Sequence, residues 1–236
     1  MRNYRSSKGP VQERPFFQQQ EIEDLCQEEL RSMSLLPSTA EPVRIERFIE
    51  KRFGITPIYE ELPPGVLGFT RFTTAGVEAI VVSRALAEEE SKTAERRINT
   101  TLAHEAGHGL LHTYLFAVGA QPERLFGDEF DPKVPRILCR DDTANSFEKP
   151  RYDGRWWEFQ ANQTIGALLL PKFLVEKALD ATILGSVGTF GLRQLKLKDR
   201  GRAARVLSEA FNVNPAVAKI RLDQLFPEAD SAQLSL

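Results

Sequence analysis

All three histidines of this 236-residue chain fall in one twelve-residue stretch, Thr101-Leu102-Ala103-His104-Glu105-Ala106-Gly107-His108-Gly109-Leu110-Leu111-His112. On an α-helix, His104 and His108 share a face about one turn apart. Two imidazoles so placed can each give a nitrogen to one Zn²⁺ at about 2.0–2.1 Å. Glu105 is offset from them, where it reaches a water beside the metal rather than the metal itself. This is the H-E-x-x-H arrangement, two histidine ligands and a glutamate general base. A plain amphipathic helix accounts for the opposite face, where Ile98, Leu102, Ala106 and Leu110 recur every four residues. It does not account for histidines crowding the other face. Gly107 and Gly109 each weaken a helix by about 1 kcal/mol against alanine. That is tolerable where a second helix must pack close and bring a further ligand.

The rest of the composition narrows the class without naming a chemistry. With 42% hydrophobic and 27% charged residues, the chain reads as a soluble globular protein of one sizeable domain. A net charge of −2 with both signs interspersed gives no global argument for nucleic acid or membrane. Cys26 and Cys139 match no C-x-x-C spacing. The polar start leads into no apolar signal region, and no stretch approaches the roughly 20 apolar residues that span a bilayer. The expected compartment is the cytoplasm.

Taken in order, residues 1–17 read as a flexible lead broken by Gly9, Pro10 and Pro15. Helical spacing follows over 18–34 and again over 42–53, the latter stopped by Gly54. Residues 55–62, 66–72 and 77–82 read as three strands of an antiparallel meander separated by Pro63-Pro64-Gly65 and Thr73-Thr74-Ala75-Gly76. Ser91 or Thr93 is a fitting N-cap for the histidine helix, with Glu95 in its first turn. Residues 113–155 lose periodicity, a length that in a compact domain usually serves function or is partly disordered; within them 134–139 could add a strand. Residues 156–170 read as a buried helix closed by Pro171. Helical stretches over 172–181, about 192–211 and 215–225 complete the chain. The expected division is a lead at 1–17, a core at 18–185 and a helical tail at 190–236.

A catalytic zinc site normally has three protein ligands and one open position. His112 is excluded as the third, because it lies about 12 Å along the helix from His104. Its remaining roles, in order, are support of a ligand, hydrogen-bond donor in the transition state, and packing, so it is carried as an auxiliary catalytic candidate. Glu158, at the head of an otherwise apolar helix, needs a partner that a cation would supply. Spacing alone leaves an equal alternative, in which its charge favours the helix N-terminus.

His104-Glu105-Ala106-Gly107-His108, followed by Glu158-Phe159-Gln160-Ala161-Asn162 and Leu168-Leu169-Leu170-Pro171, resembles the ImmA/IrrE family of zinc metallopeptidases. That family carries an H-E-x-G-H helix, then an E-x-x-A-N helix with a following L-L-x-P. The likeness extends over roughly residues 40–225 and includes 211–222, which resembles the helix-turn-helix-like segment after the peptidase core. It implies an α+β, zincin-like core: a small antiparallel sheet on the H-E-x-x-H helix and a second ligand helix, with a small helical tail. It implies one Zn²⁺ per chain on His104, His108 and Glu158, with Glu105 catalytic. The implied substrate is a regulatory protein, such as a helix-turn-helix repressor cut to release phage, mobile-element or stress genes.

Several expectations accompany this reading. His112, Tyr114 and Tyr152 are the candidates for stabilising an oxyanion. Residues 77–82, as the outermost strand, would align an extended substrate by strand addition. Cys139 would cap the zinc as an inhibitory ligand, or else be a small buried apolar residue. Two competing classes carry no peptidase activity. One is a DNA-binding regulator with structural zinc, drawing on Arg193, Lys196, Lys198, Arg200, Arg202 and Arg205, a run that more often marks a solvated helix face. The other is a toxin–antitoxin-type partner, which the intact Glu105 argues against.

Overall fold

The structure, a computed structural model, describes residues 2–5, 13–114, 136–140, 156–179, 183–184 and 195–227. The chain begins with strands β1 (Arg2–Arg5) and β2 (Glu13–Phe16), paired antiparallel. Within the lead read at 1–17, Pro15 sits in this two-stranded ribbon, where a missing N–H is tolerated. Helix α1 (Gln19–Ser32) starts with a capping box, the Gln18 amide donating to Glu21 Oε2 at 2.8 Å. It buries Ile22, Cys26 and Leu30, spaced by four. Helix α2 (Ile45–Phe53) buries Ile45, Phe48 and Ile49 and stops at Gly54, whose φ of 71° is left-handed.

Strands β3 (Ile58–Glu60), β4 (Val66–Thr73) and β5 (Gly76–Ser83) follow, then a short helix α3 (Arg84–Glu88) and the long helix α4 (Lys92–Leu111). Strand β6 (Arg136–Arg140) completes a four-stranded sheet of order β3-β5-β4-β6. The β4–β5 and β4–β6 pairs are antiparallel, whereas β3 runs parallel to β5. The meander expected from sequence is therefore wrong at its first step. Pro63 and Pro64 deprive the chain of two ladder donors beside β4, and β3 takes the open side of β5 with only three residues. Residues 77–82 consequently lie inside the sheet, whose outer strands are β3 and β6. Strand β6 fills the place foreseen for 134–139.

Helix α4 starts at Ser91, whose hydroxyl accepts from the Ala94 amide at 3.0 Å. The sheet packs on this helix, and helix α5 (Trp156–Leu169) crosses it on another side. That second contact explains Gly107. A methyl there would overlap Thr164 Oγ1 of α5 and stand 3.1 Å from Thr164 Cβ. Gly109 likewise gives way to Phe53 and Val77. Between Thr101 and Gly109 every residue of α4 is buried, so the helix is enclosed rather than amphipathic here.

Helix α6 (Lys172–Ala178), a 3₁₀ turn (Leu197–Asp199), α7 (Arg200–Phe211) and α8 (Pro215–Leu225) follow. The helix foreseen over 192–211 thus begins only at Arg200, and Leu195 instead makes a bridge to Leu184. Leu207, Phe211 and Leu222 share one core with Leu102, Ala106 and Leu168, so the tail packs with α4 and α5. Arg221, 1% exposed, ties the arrangement together. Its guanidinium pairs with Glu23 of α1 and its Nε donates to the Leu170 carbonyl at the end of α5, at 3.0 Å. The architecture is mixed α and β, and no helix among the described residues is long and apolar enough to cross a membrane.

Candidate metal centre

Helices α4 and α5 bring three donor atoms to one point. His104 Nε2 lies 3.0 Å from His108 Nε2 and 3.2 Å from Glu158 Oε2; His108 Nε2 is 3.6 Å from Glu158 Oε1. Ligands about 2.05 Å from a tetrahedral centre stand roughly 3.3 Å apart, which is the mean spread of these three contacts. The group His104, His108 and Glu158 could therefore hold a metal ion. The two histidines come from one helical turn of α4 and the carboxylate from the first turn of α5.

Proton direction supports the same conclusion. Asn162 Oδ1 stands 3.0 Å from His104 Nδ1. An amide oxygen only accepts, so Nδ1 carries a proton and Nε2 is the nitrogen of His104 left to face the shared point. Glu158 adds a carboxylate with a side chain only 17% exposed. Burial disfavours its charge, yet His108 and His104 together hold its pKa well below the usual range. Burial likewise opposes a charged His104, but Glu158, with Glu105 and Asn162 adding, carries its pKa upward. For His108 burial prevails and lowers the pKa, keeping that ring neutral. Glu158 thus brings a negative charge to the point the three share.

Glu105 is fully buried beside them. Its Oε2 accepts from Thr70 Oγ1 of β4 at 2.7 Å, while Oε1 has no hydrogen-bond partner among the described residues. Burial pushes its pKa up to about 8, against the lowering effects of His104 and of the Thr70 bond. Strand β4 comes this close because residue 68 is glycine: a methyl there would meet Thr101 Cγ2 and the Val81 carbonyl, each at 2.7 Å.

His112 sits behind His108, on the side of that ring away from His104 and Glu158. Its Nδ1 is 2.9 Å from His108 Nδ1, its Nε2 is 3.1 Å from Gln160 Oε1, and its ring meets the Trp156 edge at 5.6 Å. Fully buried, it has both nitrogens engaged, one by His108 and one by Gln160. Burial holds its pKa down to about 3, with the neighbouring His108 acting in the same direction. Tyr114 has a buried hydroxyl with no partner among the described residues, and burial raises its pKa. Tyr152 and the Cys139 side chain, hence the capping idea, lie outside the described residues. On the described solvent side stand Asn162 and Phe159, the latter 44% exposed.

Thr70, Gln160 and Asn162 are the supporting residues that sequence reasoning did not assign. Asn162 lay within a recognised motif, four residues after Glu158, and that spacing was the available signal. A surface hollow of about 800 Å³ at the start of α4, bordered by Glu95, Ile98 and Glu209, shares no residue with this centre. Of the basic run, Arg193 lies outside the described residues, Lys196, Lys198, Arg202 and Arg205 are exposed or nearly so, and Arg200 pairs with Asp223 at 2.5 Å. Compared with known proteins, the chain matches no family model, no curated protein and no solved structure.

Proposed function

We propose that this chain is a zinc-dependent endopeptidase with a zincin-like core, of the ImmA/IrrE kind, cutting a regulatory protein such as a helix-turn-helix repressor. The observation that carries the reading is the convergence of His104, His108 and Glu158 beside a buried Glu105 with one unpartnered carboxyl oxygen. Two imidazoles and one carboxylate form a donor set suited to zinc with an open position.

Zinc bound there supplies Lewis acidity, polarising a peptide carbonyl and making a water more acidic. The protein's residues do the rest. Asn162 and His112 orient the two imidazoles. Thr70 occupies Glu105 Oε2, leaving Oε1 to take the proton of the attacking water. The same carboxyl then returns that proton to the leaving amine.

Elemental analysis of wild type and Glu158→Ala, side by side, tests the centre. About one zinc per wild-type chain, lost in the variant, supports it; zinc retained equally in both rejects Glu158 as ligand. Glu105→Gln should keep its zinc and fail to cut a helix-turn-helix repressor that wild type cuts. Cutting by Glu105→Gln at the wild-type rate would reject the mechanism.

The competing reading of a DNA-binding regulator draws on exposed Lys198, Arg202 and Arg205. Against it, α8 shows Asp223 beside Lys219 outward and keeps Arg221 inside. Salt-dependent duplex binding by the full chain would favour it.

A further inference from the structure

The direction in which protons run through His112 decides what His108 presents to the other two ligands. Gln160 Oε1 only accepts, so the 3.1 Å contact puts a proton on His112 Nε2. A neutral imidazole carries one N–H, which leaves His112 Nδ1 as an acceptor. His108 Nδ1, 2.9 Å away, must then be the donor. His108 Nε2 is left as a lone pair, 3.0 Å from His104 Nε2.

We propose that Gln160 and His112 form a relay that fixes the tautomer of His108, making His112 a positioning residue for a divalent cation at His104, His108 and Glu158. The inference rests on the metal-site reading above and adds the agent that prepares its second imidazole. The relay is built into the two helices that carry the ligands. His112 stands one turn beyond His108 as the C-cap of α4, and Gln160 two residues beyond Glu158 on α5. Both are buried, and the Trp156 edge limits rotation of the His112 ring. Without the Gln160 oxygen, His112 loses the partner that holds its proton on Nε2. The proton of His108 is then free to move to Nε2, where it donates to Glu158 and occupies the place a cation needs. His104 has its own acceptor in Asn162 and does not depend on the relay.

Zinc affinity measured by competition with a chromophoric chelator tests this without any substrate. Gln160→Met removes the acceptor at similar size, Gln160→Glu keeps an acceptor oxygen, and His112→Phe keeps the ring against Trp156. The expected result is a roughly 10–100-fold loss of zinc affinity in Gln160→Met and His112→Phe, with Gln160→Glu at wild-type affinity or tighter. Long-range ¹H–¹⁵N correlations on the metal-free protein read the tautomers directly, since the chain has three histidines. Wild type should show Nδ1–H for His104 and His108 and Nε2–H for His112. If His112→Phe does not fold, Gln160→Met decides. Unchanged affinity in folded Gln160→Met, equal losses in Gln160→Met and Gln160→Glu, or Nε2–H at wild-type His108 would each overturn the relay alone. A folded wild type that binds no zinc overturns the metal reading and the relay's purpose together.

Discussion

Thr70 Oγ1 lies 2.7 Å from Glu105 Oε2 and 3.0 Å from the carbonyl oxygen of the same residue. One strand side chain thus holds both the acid and the backbone of the residue that follows the first ligand. Removing the hydroxyl should free the acid to rotate. Thr70→Val is expected to lower kcat about tenfold or more, a fraction of the roughly 10²–10⁴-fold that a general base contributes. Its zinc content should be unchanged, and Thr70→Ser should restore the rate. Equal rates for Val and Ser variants would remove Thr70 from the machinery.

The burial of Glu105 predicts a pH effect on the chelated protein. Its pKa rises from 4.5 toward about 8 in the folded state, so the fold retains a proton that the unfolded chain releases across that window. Stability is therefore greatest below the unfolded value, falls as pH climbs to the folded value, and levels off above it. Denaturation midpoints of wild type should decline from mildly acid to mildly alkaline pH relative to Glu105→Gln, by an amount on the order of a few kcal/mol. Parallel curves for the two proteins would show that the carboxyl is not held protonated.

The contact between Gly107 and Thr164 sets how near the two ligand helices approach. Gly107→Val should push α5 away from α4, destabilising the fold by about 1–3 kcal/mol and weakening zinc binding with it. Thr164→Ala in the same chain should recover part of both losses. Full stability in Gly107→Val alone would mean that the helices are less closely seated than the overlap with Thr164 requires.

Arg221 is buried with its charge paired to Glu23. Arg221→Ala strands a carboxylate and the Leu170 carbonyl, and should lower stability by about 3–5 kcal/mol. Replacing both charges, as Arg221→Met with Glu23→Leu, should recover most of the loss. If the double variant is no more stable than Arg221→Ala, the pair is not what holds the three helices.

The histidine helix was legible because its information is local. A four-residue spacing fixes which side chains share a face, and two glycines in a helix announce a close neighbour. Glu158 was half legible: a lone acid on an apolar helix shows a need without showing its partner. Thr70 was not legible at all, since one threonine among Gly68, Phe69 and Phe72 carries no periodic signal. Its role depends on β4 lying against α4, a long-range fact. The parallel placement of β3 failed for the same reason, because adjacency in sequence favoured β4 and the sheet offered β5. Gln160 was passed over because its neighbours Glu158 and Asn162 lay in the recognised motif and it did not.

The Arg221 clasp has a consequence for how the chain tolerates being shortened. It fastens α1, near the start, and α8, near the end, to the far end of the helix that carries Glu158. A cut after α7 would leave the residues at the metal point intact in sequence and yet slacken the helix that aims the carboxylate. Damage to the tail would then be read out as loss of metal, some fifty residues of sequence away from the break.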